Sequence, residues 1–353
     1  MALQIIPKGM LSDWIGQLCE HHRVIAPQRK QTHTVFAELQ AVDEVSLDYG
    51  ITLLPPKKAL LPPHEQLFQF GNDGQPVEPL LEDQPTIIFG IHTCDLHAIA
   101  LLDQVFGRSP ADEHYVSRRN RTTLIGIECL RPCSNDSFCR DMGTLSVPAN
   151  FDLHLTDLGT EYAIEVGSDK GAALLQGGAG VRTATSDDRQ QLDAVMREKW
   201  LRFPYRLEAD VTELPALLAF SYRSQIWQKL GEQCLGCGAC TIVCPTCYCF
   251  DVHDEVDFSL STGQRSRGWD SCQFNQFASV AGGHDFRVGR AARQRHRFNR
   301  KYQYQTRATG LAGCVGCGRC AHACLVGIKP IDVLNECAAS EQHNRATSKE
   351  VKR

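Results

Sequence analysis

Eight cysteines in the C-terminal third of the chain fall into two identical patterns, which constrain the fold more than any other sequence feature. Each pattern is C-x2-C-x2-C-x3-C, the spacing with which bacterial-type ferredoxins bind [4Fe–4S] clusters. The first motif contains Cys234, Cys237, Cys240 and Cys244, and the second contains Cys314, Cys317, Cys320 and Cys324. Because iron in a cubane cluster prefers four soft thiolate ligands, the sequence predicts two [4Fe–4S] clusters.

The spacing also predicts which cysteines share a cluster. Three closely spaced cysteines can surround one cluster, whereas the fourth lies beyond a turn and ligates the other cluster. Cluster 1 is therefore expected to take Cys234, Cys237, Cys240 and Cys324, and cluster 2 to take Cys314, Cys317, Cys320 and Cys244. Two zinc sites are the alternative, but zinc needs only two CxxC pairs and would leave the third cysteine of each motif surplus. Leu325 stands where the motif usually has proline, which removes no ligand.

The position of the motifs divides the chain into three parts. With 353 residues, the chain is longer than a typical single domain. We expect an N-terminal domain over residues 1–210, a dicluster ferredoxin domain over 211–340 and a polar tail over 341–353.

Two helices are expected to flank the cysteine motifs. Apolar or aromatic residues recur every four positions at Leu218, Tyr222, Ile226 and Leu230. This stripe predicts a helix over 213–230 that Gly231 terminates, and a second helix is expected over 331–338. Because the motifs lie farther apart than in small bacterial ferredoxins, we favour a helical ferredoxin-like domain. A βαββαβ ferredoxin with a long insertion is the alternative.

The N-terminal domain contains a strand–helix–strand pattern. Apolar residues predict strands over 86–91 and 122–127, and Leu96–Phe106 predicts a helix with Asp95 as its N-cap and Gly107 just past its end. In such a βαβ unit the two strands are parallel and close together. The expected fold class is therefore α+β, with an N-terminal domain of α/β type.

A third group of four cysteines follows the two predicted strands. Cys94 and Cys129 come directly after the strands, at the carboxyl ends where α/β sheets place their sites. Cys133 and Cys139 lie on the loop that follows and can reach the same point. The group predicts a third [4Fe–4S] cluster, with ordinary buried cysteines as the alternative. His92 is a substitute ligand if one of the cysteines does not bind.

Three more cysteines, Cys247, Cys249 and Cys272, belong to none of these sets. Packing as small apolar side chains is their simplest interpretation. The alternative is an iron–sulfur enzyme that acts on a thiol or disulfide substrate through them. The sequence indicates no flavin, nicotinamide or nickel–iron site, and therefore no independent active site.

Charge and hydropathy exclude other classes of protein. The net charge of −4 argues against a nucleic-acid-binding protein, although residues 287–307 contain eight basic residues. That basic stretch is interpreted as a solvated helix face or as a docking surface for an acidic partner. The sequence shows no secretory signal and no run of roughly 18 apolar residues, so we expect a cytoplasmic protein without a direct membrane span.

Three segments resemble one known family: LDYGITLLPPKKALLPP (47–63), GIHTCDLHAIALLDQVF (90–106) and CLGCGACTIVCPTCYCF (234–250). They are similar to the β subunits of cytoplasmic sulfhydrogenases, which are NAD(P)-linked nickel–iron hydrogenases. They also resemble the iron–sulfur relay subunit of anaerobic sulfite reductase, a related protein. The PPKK and CPTCYCF sequences within these segments favour the hydrogenase subunit.

The resemblance implies an iron–sulfur electron-transfer subunit of an oxidoreductase complex. Its partners would be a flavin- and NAD(P)H-binding reductase subunit, together with a catalytic hydrogenase or sulfite reductase subunit. The family pattern Cys-Phe-Cys-x-x-Met-Gly corresponds here to residues 137–143, and Ser137 replaces its first cysteine. Cys133, which lies upstream, is the candidate to replace that ligand.

Overall fold

The computed structural model describes residues 3–72, 76–178 and 180–350, with the backbone alone beyond Glu341. The chain forms two compact, discontinuous units. The first unit contains the chain up to Ser134, Thr144–Pro204 and Val252–Gly268, and the second contains Asn135–Gly143, Tyr205–Asp251 and the chain from Trp269 onward. A short segment of the N-terminal half therefore belongs to the second unit, an exchange that the predicted limits 1–210 and 211–340 do not contain.

The strands form two sheets. In chain order they are β1 (Leu3–Pro7), β2 (Arg23–Lys30), β3 (His33–Glu38), β4 (His64–Gly71), β5 (Thr86–His92), β6 (Thr122–Ile127), β7 (Leu153–Asp157), β8 (Glu161–Val166), β9 (Arg182–Thr183), β10 (Phe250–Val256) and β11 (Thr262–Trp269). The larger sheet has the order β3-β2-β5-β6-β7-β8-β1-β9, and the smaller has the order β10-β11-β4. In the larger sheet the pairs β2–β5, β5–β6 and β6–β7 are parallel, and the other pairs are antiparallel.

The helices of the first unit are α1 (Leu11–His21), α2 (Thr93–Phe106), α3 (Glu113–Asn120), α4 (Asp169–Leu175) and α5 (Ser186–Arg202). Those of the second unit are α6 (Leu214–Phe220), α7 (Ile226–Gln233), α8 (Ala239–Ile242), α9 (Arg290–Asn299), α10 (Gln305–Thr309), α11 (Arg319–His322) and α12 (Pro330–Glu350). A π-helical segment, Arg300–Tyr304, joins α9 to α10. The chain is therefore α+β, as predicted.

The predicted strand–helix–strand pattern is present in the first unit. β5 and β6 are buried along their whole length and pair in parallel, with Ile88 opposite Leu124. The helix between them begins earlier than predicted, because His92 with its extended backbone takes the N-cap position. Asp95 lies instead in the first helical turn, where its carboxylate favours the positive end of the helix dipole. Gly107 follows the last helical residue, as predicted.

One apolar core lies against the larger sheet of the first unit. Trp14 of α1 packs with its ring 5.9 Å from the ring of Phe89 on β5, and Ile125 and Leu153 of the neighbouring strands join the same cluster. Trp14 also donates a hydrogen bond from its indole Nε1 to the Leu174 carbonyl oxygen at 3.0 Å. Each such side chain contributes about 1.5–3 kcal/mol through burial, so this core holds the parallel strands and their carboxyl ends in place.

The predicted helix over 213–230 is interrupted. α6 ends at Phe220, a 3-10 turn follows, and α7 begins at Ile226. Gly231 lies inside α7 and does not terminate it, so that prediction is wrong. A Cβ atom at Gly231 would lie 2.5 Å from the backbone nitrogen of Ala291, so the glycine permits close packing of α7 on α9.

The last helix begins one residue before the predicted range 331–338 and is much longer. α12 continues to Glu350, into the segment predicted as a polar tail, and residues 351–353 lie outside the described part of the chain. Leu334 of α12 is fully buried in the core of the second unit, with Phe298 and Tyr302 in the same cluster. This core supports the helices that carry the cysteine motifs.

Candidate metal centres

The two cysteine motifs adopt the same backbone conformation. In each, two glycines that flank the second cysteine have positive φ: Gly236 and Gly238 at 71° and 74°, Gly316 and Gly318 at 67° and 77°. The short helices α8 and α11 then carry the third cysteine of each motif. Because residues with side chains rarely adopt these φ values, the glycines let each loop curl so that its cysteines face one point.

The cysteines line two cavities in the second unit. The first cavity is lined by Cys234, Cys237, Cys240 and Cys324, and the second by Cys244, Cys314, Cys317 and Cys320. Each cavity therefore contains three cysteines of one motif and the fourth cysteine of the other. The structure brings together the same residues that the spacing assigned to clusters 1 and 2.

N–H groups point at several of these sulfur atoms. The contacts are Gly236 N to Cys234 Sγ at 3.3 Å, Gly316 N to Cys314 Sγ at 3.4 Å, Ile328 N to Cys324 Sγ at 3.2 Å, and Gln294 Nε2 to Cys234 Sγ at 2.9 Å. Hydrogen bonds of this kind favour the thiolate over the thiol, and metals bind the thiolate. They also orient ligands, because partners beyond the first ligand shell fix the direction of each sulfur.

Two buried cations accompany the cysteines. Arg297 is 3% exposed and lines both cavities, and Lys301 is 7% exposed with its Nζ 3.1 Å from Cys244 Sγ. Within the described part of the chain, neither cation forms an ion pair with a carboxylate. Burial by itself lowers the pKa of Lys301, but the thiols of Cys244 and Cys247 outweigh it and raise that pKa well above its usual value.

These cations indicate what the cavities are built to hold. An isolated buried charge is strongly unfavourable, so Arg297 and Lys301 require compensating negative charge nearby. The Nε atom of Arg297 is buried without a hydrogen-bond partner. A cubane cluster held by four thiolates supplies soft ligation and net negative charge, and the donor set therefore fits [4Fe–4S] clusters.

The basic stretch 287–307 is thus not simply a solvated helix face or a docking surface. Arg293, Arg297 and Lys301 are buried, and for these three residues both interpretations are wrong. Arg293 donates from Nη1 to Asn275 Oδ1 at 2.6 Å, inside the second unit. Helical spacing is the signal that could have revealed this, because the three residues recur at intervals of four beside the apolar side chains of Phe298 and Tyr302.

Comparison with known proteins identifies the family. Residues 233–328 match a family described as 4Fe-4S dicluster domain. Over 325 residues, covering 92% of this chain and 95% of the relative, the chain is 34% identical to Sulfhydrogenase 2 subunit beta of Pyrococcus furiosus. The chain belongs to the sulfhydrogenase β-subunit family. No solved structure matches it.

Membership in this family, together with the dicluster domain, establishes the cofactors in general terms. The chain is an iron–sulfur protein with two [4Fe–4S] clusters, and its role is electron transfer in an oxidoreductase. None of the helices in the described residues combines the length and apolar character that a membrane crossing requires.

The third predicted cysteine set is divided between the two units of this β-subunit family member. Cys94, Cys129 and Cys133 belong to the first unit, whereas Cys139 belongs to the second. Cys129 and Cys133 lie together with His92, and the ligand atoms of these three are all within 4.8 Å of one another. Cys94, on α2, is not part of that compact group in the described structure. A third cluster at Cys94, Cys129, Cys133 and Cys139 stays a prediction.

The segment with Ser137 in place of the family cysteine packs on the second cysteine motif. Phe138 N donates to the Gly316 carbonyl oxygen at 2.7 Å, and Ser137 Oγ lies 3.5 Å from the Cys317 carbonyl oxygen. A Cβ atom at Gly316 would lie 2.6 Å from the Phe138 carbonyl group, so glycine is required for this approach. Sequence reasoning placed this segment in the N-terminal domain and did not find the contact.

A third cavity in the second unit is lined by Cys247, Cys249 and Cys272, together with His296. Cys249 and Cys272 share a side-chain hydrogen bond, which lowers the pKa of Cys272 to about 6 and raises that of Cys249. Cys272 also accepts a contact from Gln273 Nε2 at 3.5 Å. Cys249 and Cys272 form a thiol pair, which the packing interpretation does not include.

Proposed function

We propose that the chain is the electron-relay subunit of a nickel–iron hydrogenase complex in the cytoplasm. It would pass electrons between a flavin- and NAD(P)H-binding partner and a catalytic partner. One observation carries this proposal: the single side chain of Arg297 lines both cysteine cavities. Clusters held in those cavities are neighbours, which is the arrangement that a relay needs. The relative's name, a sulfhydrogenase subunit, supports the assignment to a complex.

The proposed ligand sets follow the two cavities. Cluster 1 would be held by Cys234, Cys237, Cys240 and Cys324, and cluster 2 by Cys314, Cys317, Cys320 and Cys244. Each cluster accepts and releases one electron at a time. The helices α6 to α12 around the cavities support the assignment of this unit as a helical ferredoxin-like domain.

Paired cysteine substitutions test the crossed ligand sets. Cys234→Ala with Cys324→Ala removes two ligands of one cluster if the sets are crossed, and about four of about eight iron atoms per chain should remain. Cys314→Ala with Cys324→Ala removes one ligand from each cluster, and both clusters should be lost. The two double variants are matched controls, because each deletes two thiols from the same unit. Iron and acid-labile sulfide are measured on protein purified without oxygen.

The opposite pattern would refute the crossed assignment. If the Cys314 and Cys324 double variant kept four iron atoms while the Cys234 and Cys324 variant kept none, each motif would hold its own cluster. Zinc in place of iron in the unsubstituted chain would refute the relay function itself.

The relay direction is tested with the whole chain and a flavin reductase. NADPH or NADH should reduce the clusters only when a flavin-containing reductase subunit is present, as followed by bleaching of visible absorption and by EPR. Rapid reduction by the nucleotide alone would contradict the proposal, because it would require a nicotinamide site on this chain.

A second function is favoured by the Cys249–Cys272 thiol pair. Beside an iron–sulfur cluster, such a pair could reduce a substrate disulfide to two thiols, with two electrons from the clusters and two protons from solvent. Loss of disulfide-dependent electron flow in Cys249→Ser, with iron content unchanged, would support this enzyme. Unchanged flow would leave the relay alone.

A further inference from the structure

We propose that His92, Cys129 and Cys133 bind a single divalent metal ion of the zinc class. This inference concerns the first unit, and it stands or falls independently of the relay function. His92 is the last residue of β5, and Cys129 follows the end of β6, the parallel neighbour of β5. The carboxyl ends of adjacent parallel strands are the common position for sites in α/β sheets.

The distances fit one ion rather than a cubane cluster. His92 Nδ1 lies 3.4 Å from Cys133 Sγ, and the three ligand atoms are all within 4.8 Å of one another. Around a tetrahedral zinc ion, with Zn–S about 2.3 Å and Zn–N about 2.0 Å, adjacent ligand atoms lie about 3.5–4 Å apart. A cubane cluster keeps its sulfur ligands farther apart, since iron and sulfide atoms lie between them.

The same structure provides an internal comparison. Among the described residues, the eight cysteines that line the two cluster cavities form no group of three as compact as His92, Cys129 and Cys133. The two kinds of site are therefore distinguished by one geometric criterion within one chain. Two thiolates and one divalent ion are together electrically neutral, which suits ligands that are largely buried.

Neighbouring groups orient each ligand. The His92 ring stacks on the Tyr49 ring with centroids 3.9 Å apart and planes 5° apart, and the Tyr49 hydroxyl donates to the Gly90 carbonyl oxygen at 2.6 Å. Thr93 Oγ1 lies 3.7 Å from Cys129 Sγ. Such partners fix the direction of metal ligands and are part of a functional metal site.

The site opens on a cavity of about 390 Å³, which His92, Cys129 and Cys133 line together with Lys8 and Tyr162. Three protein ligands leave the fourth position of a tetrahedral ion open toward this cavity. Zinc sites with two cysteines, one histidine and an open position bind water or a small donor ligand there. We infer that the fourth ligand of the ion is water or a small anion from the cavity.

Metal analysis of the full-length chain tests the proposal. After dialysis against a mild chelator, the unsubstituted chain should keep about one zinc in addition to about eight iron atoms. Cys133→Ser and His92→Gln should lose the zinc and keep the iron, which also shows that the second unit is folded. Cys19→Ser, at an exposed cysteine of the same unit, is the matched control and should keep both metals. Cobalt(II) in place of zinc should give thiolate charge-transfer bands that shift when azide is added.

Cys94→Ser separates a single ion from a third cluster. If one ion is bound, Cys94→Ser keeps the zinc and all the iron. About twelve iron atoms in the unsubstituted chain, with about four of them lost in Cys94→Ser, would overturn the proposal in favour of a cluster. No metal beyond about eight iron atoms would overturn it as well.

Discussion

Replacing Lys301 by glutamine should lower the reduction potential of the cluster held with Cys244. Lys301 is buried, and its Nζ lies 3.1 Å from Cys244 Sγ, 2.9 Å from Thr246 Oγ1 and 2.9 Å from the Gly313 carbonyl oxygen. A positive charge at this place stabilises the reduced cluster, which carries one more negative charge. Glutamine removes the charge and keeps hydrogen-bonding groups near Thr246 and Gly313.

The size of the shift follows from the distance. Two unit charges 3.1 Å apart interact by about 5 kcal/mol at an effective dielectric constant of roughly 20. The added electron is spread over the whole cluster, about twice as far from Nζ as the sulfur, so about 2–3 kcal/mol remains. For a one-electron couple, where about 1.4 kcal/mol corresponds to about 59 mV, the expected decrease is about 100 mV.

The assay is an EPR-monitored redox titration of the purified chain, with iron content measured on the same sample. Lys229→Gln is the control, because Lys229 belongs to the same unit but is exposed and pairs with Glu336. Only Lys301→Gln should shift one of the two potentials, and Lys301→Arg should largely restore it. A shift under about 20 mV, or an equal shift in the control, would refute the electrostatic reasoning.

Three further predictions concern stability. Lys199→Met should destabilise the first unit by about 3–5 kcal/mol in chemical unfolding, because it leaves the buried carboxylate of Glu128, which lies 2.6 Å from Lys199 Nζ, without its partner; adding Glu128→Leu should recover most of the loss, and no recovery would contradict this interpretation. Gly316→Ala should reduce iron content, because a Cβ there meets the backbone of another segment, whereas Gly327→Ala, with positive φ but open space, should cost only about 1–2 kcal/mol in thermal unfolding; equal iron loss in both would exclude the contact as the cause. Removing the clusters with a chelator should lower the thermal stability of the second unit, because its two buried cations lose their counter-charge; a calorimetric transition unchanged in the apo chain would argue against that role.

The parts of the fold that sequence predicted are those fixed by neighbouring residues. The second strand of the βαβ unit, residues 122–127, has the predicted limits, because an unbroken apolar run is a local signal. The cysteine spacing likewise brought the predicted residues to two cavities, since glycines inside each motif set the loop conformation.

The parts that sequence did not predict depend on contacts between distant segments. Gly231 was interpreted as a helix terminator, but its lack of a side chain serves the packing of α7 on α9. Arg297 and Lys301 were interpreted as surface residues, because charged residues are usually exposed. Their burial depends on negative charge from cofactors, which no hydropathy pattern of the chain itself records.

The assignment of Asn135–Gly143 to the second unit has a consequence for how the protein can be made and divided. Phe138 belongs to the apolar core of that unit and is synthesised long before Gly316, to which it is hydrogen-bonded. A nascent chain must therefore hold this segment without its partner until nearly the whole protein has left the ribosome. For the same reason, a fragment that starts at Tyr205 would contain every cysteine of both motifs and still lack a piece of its own core.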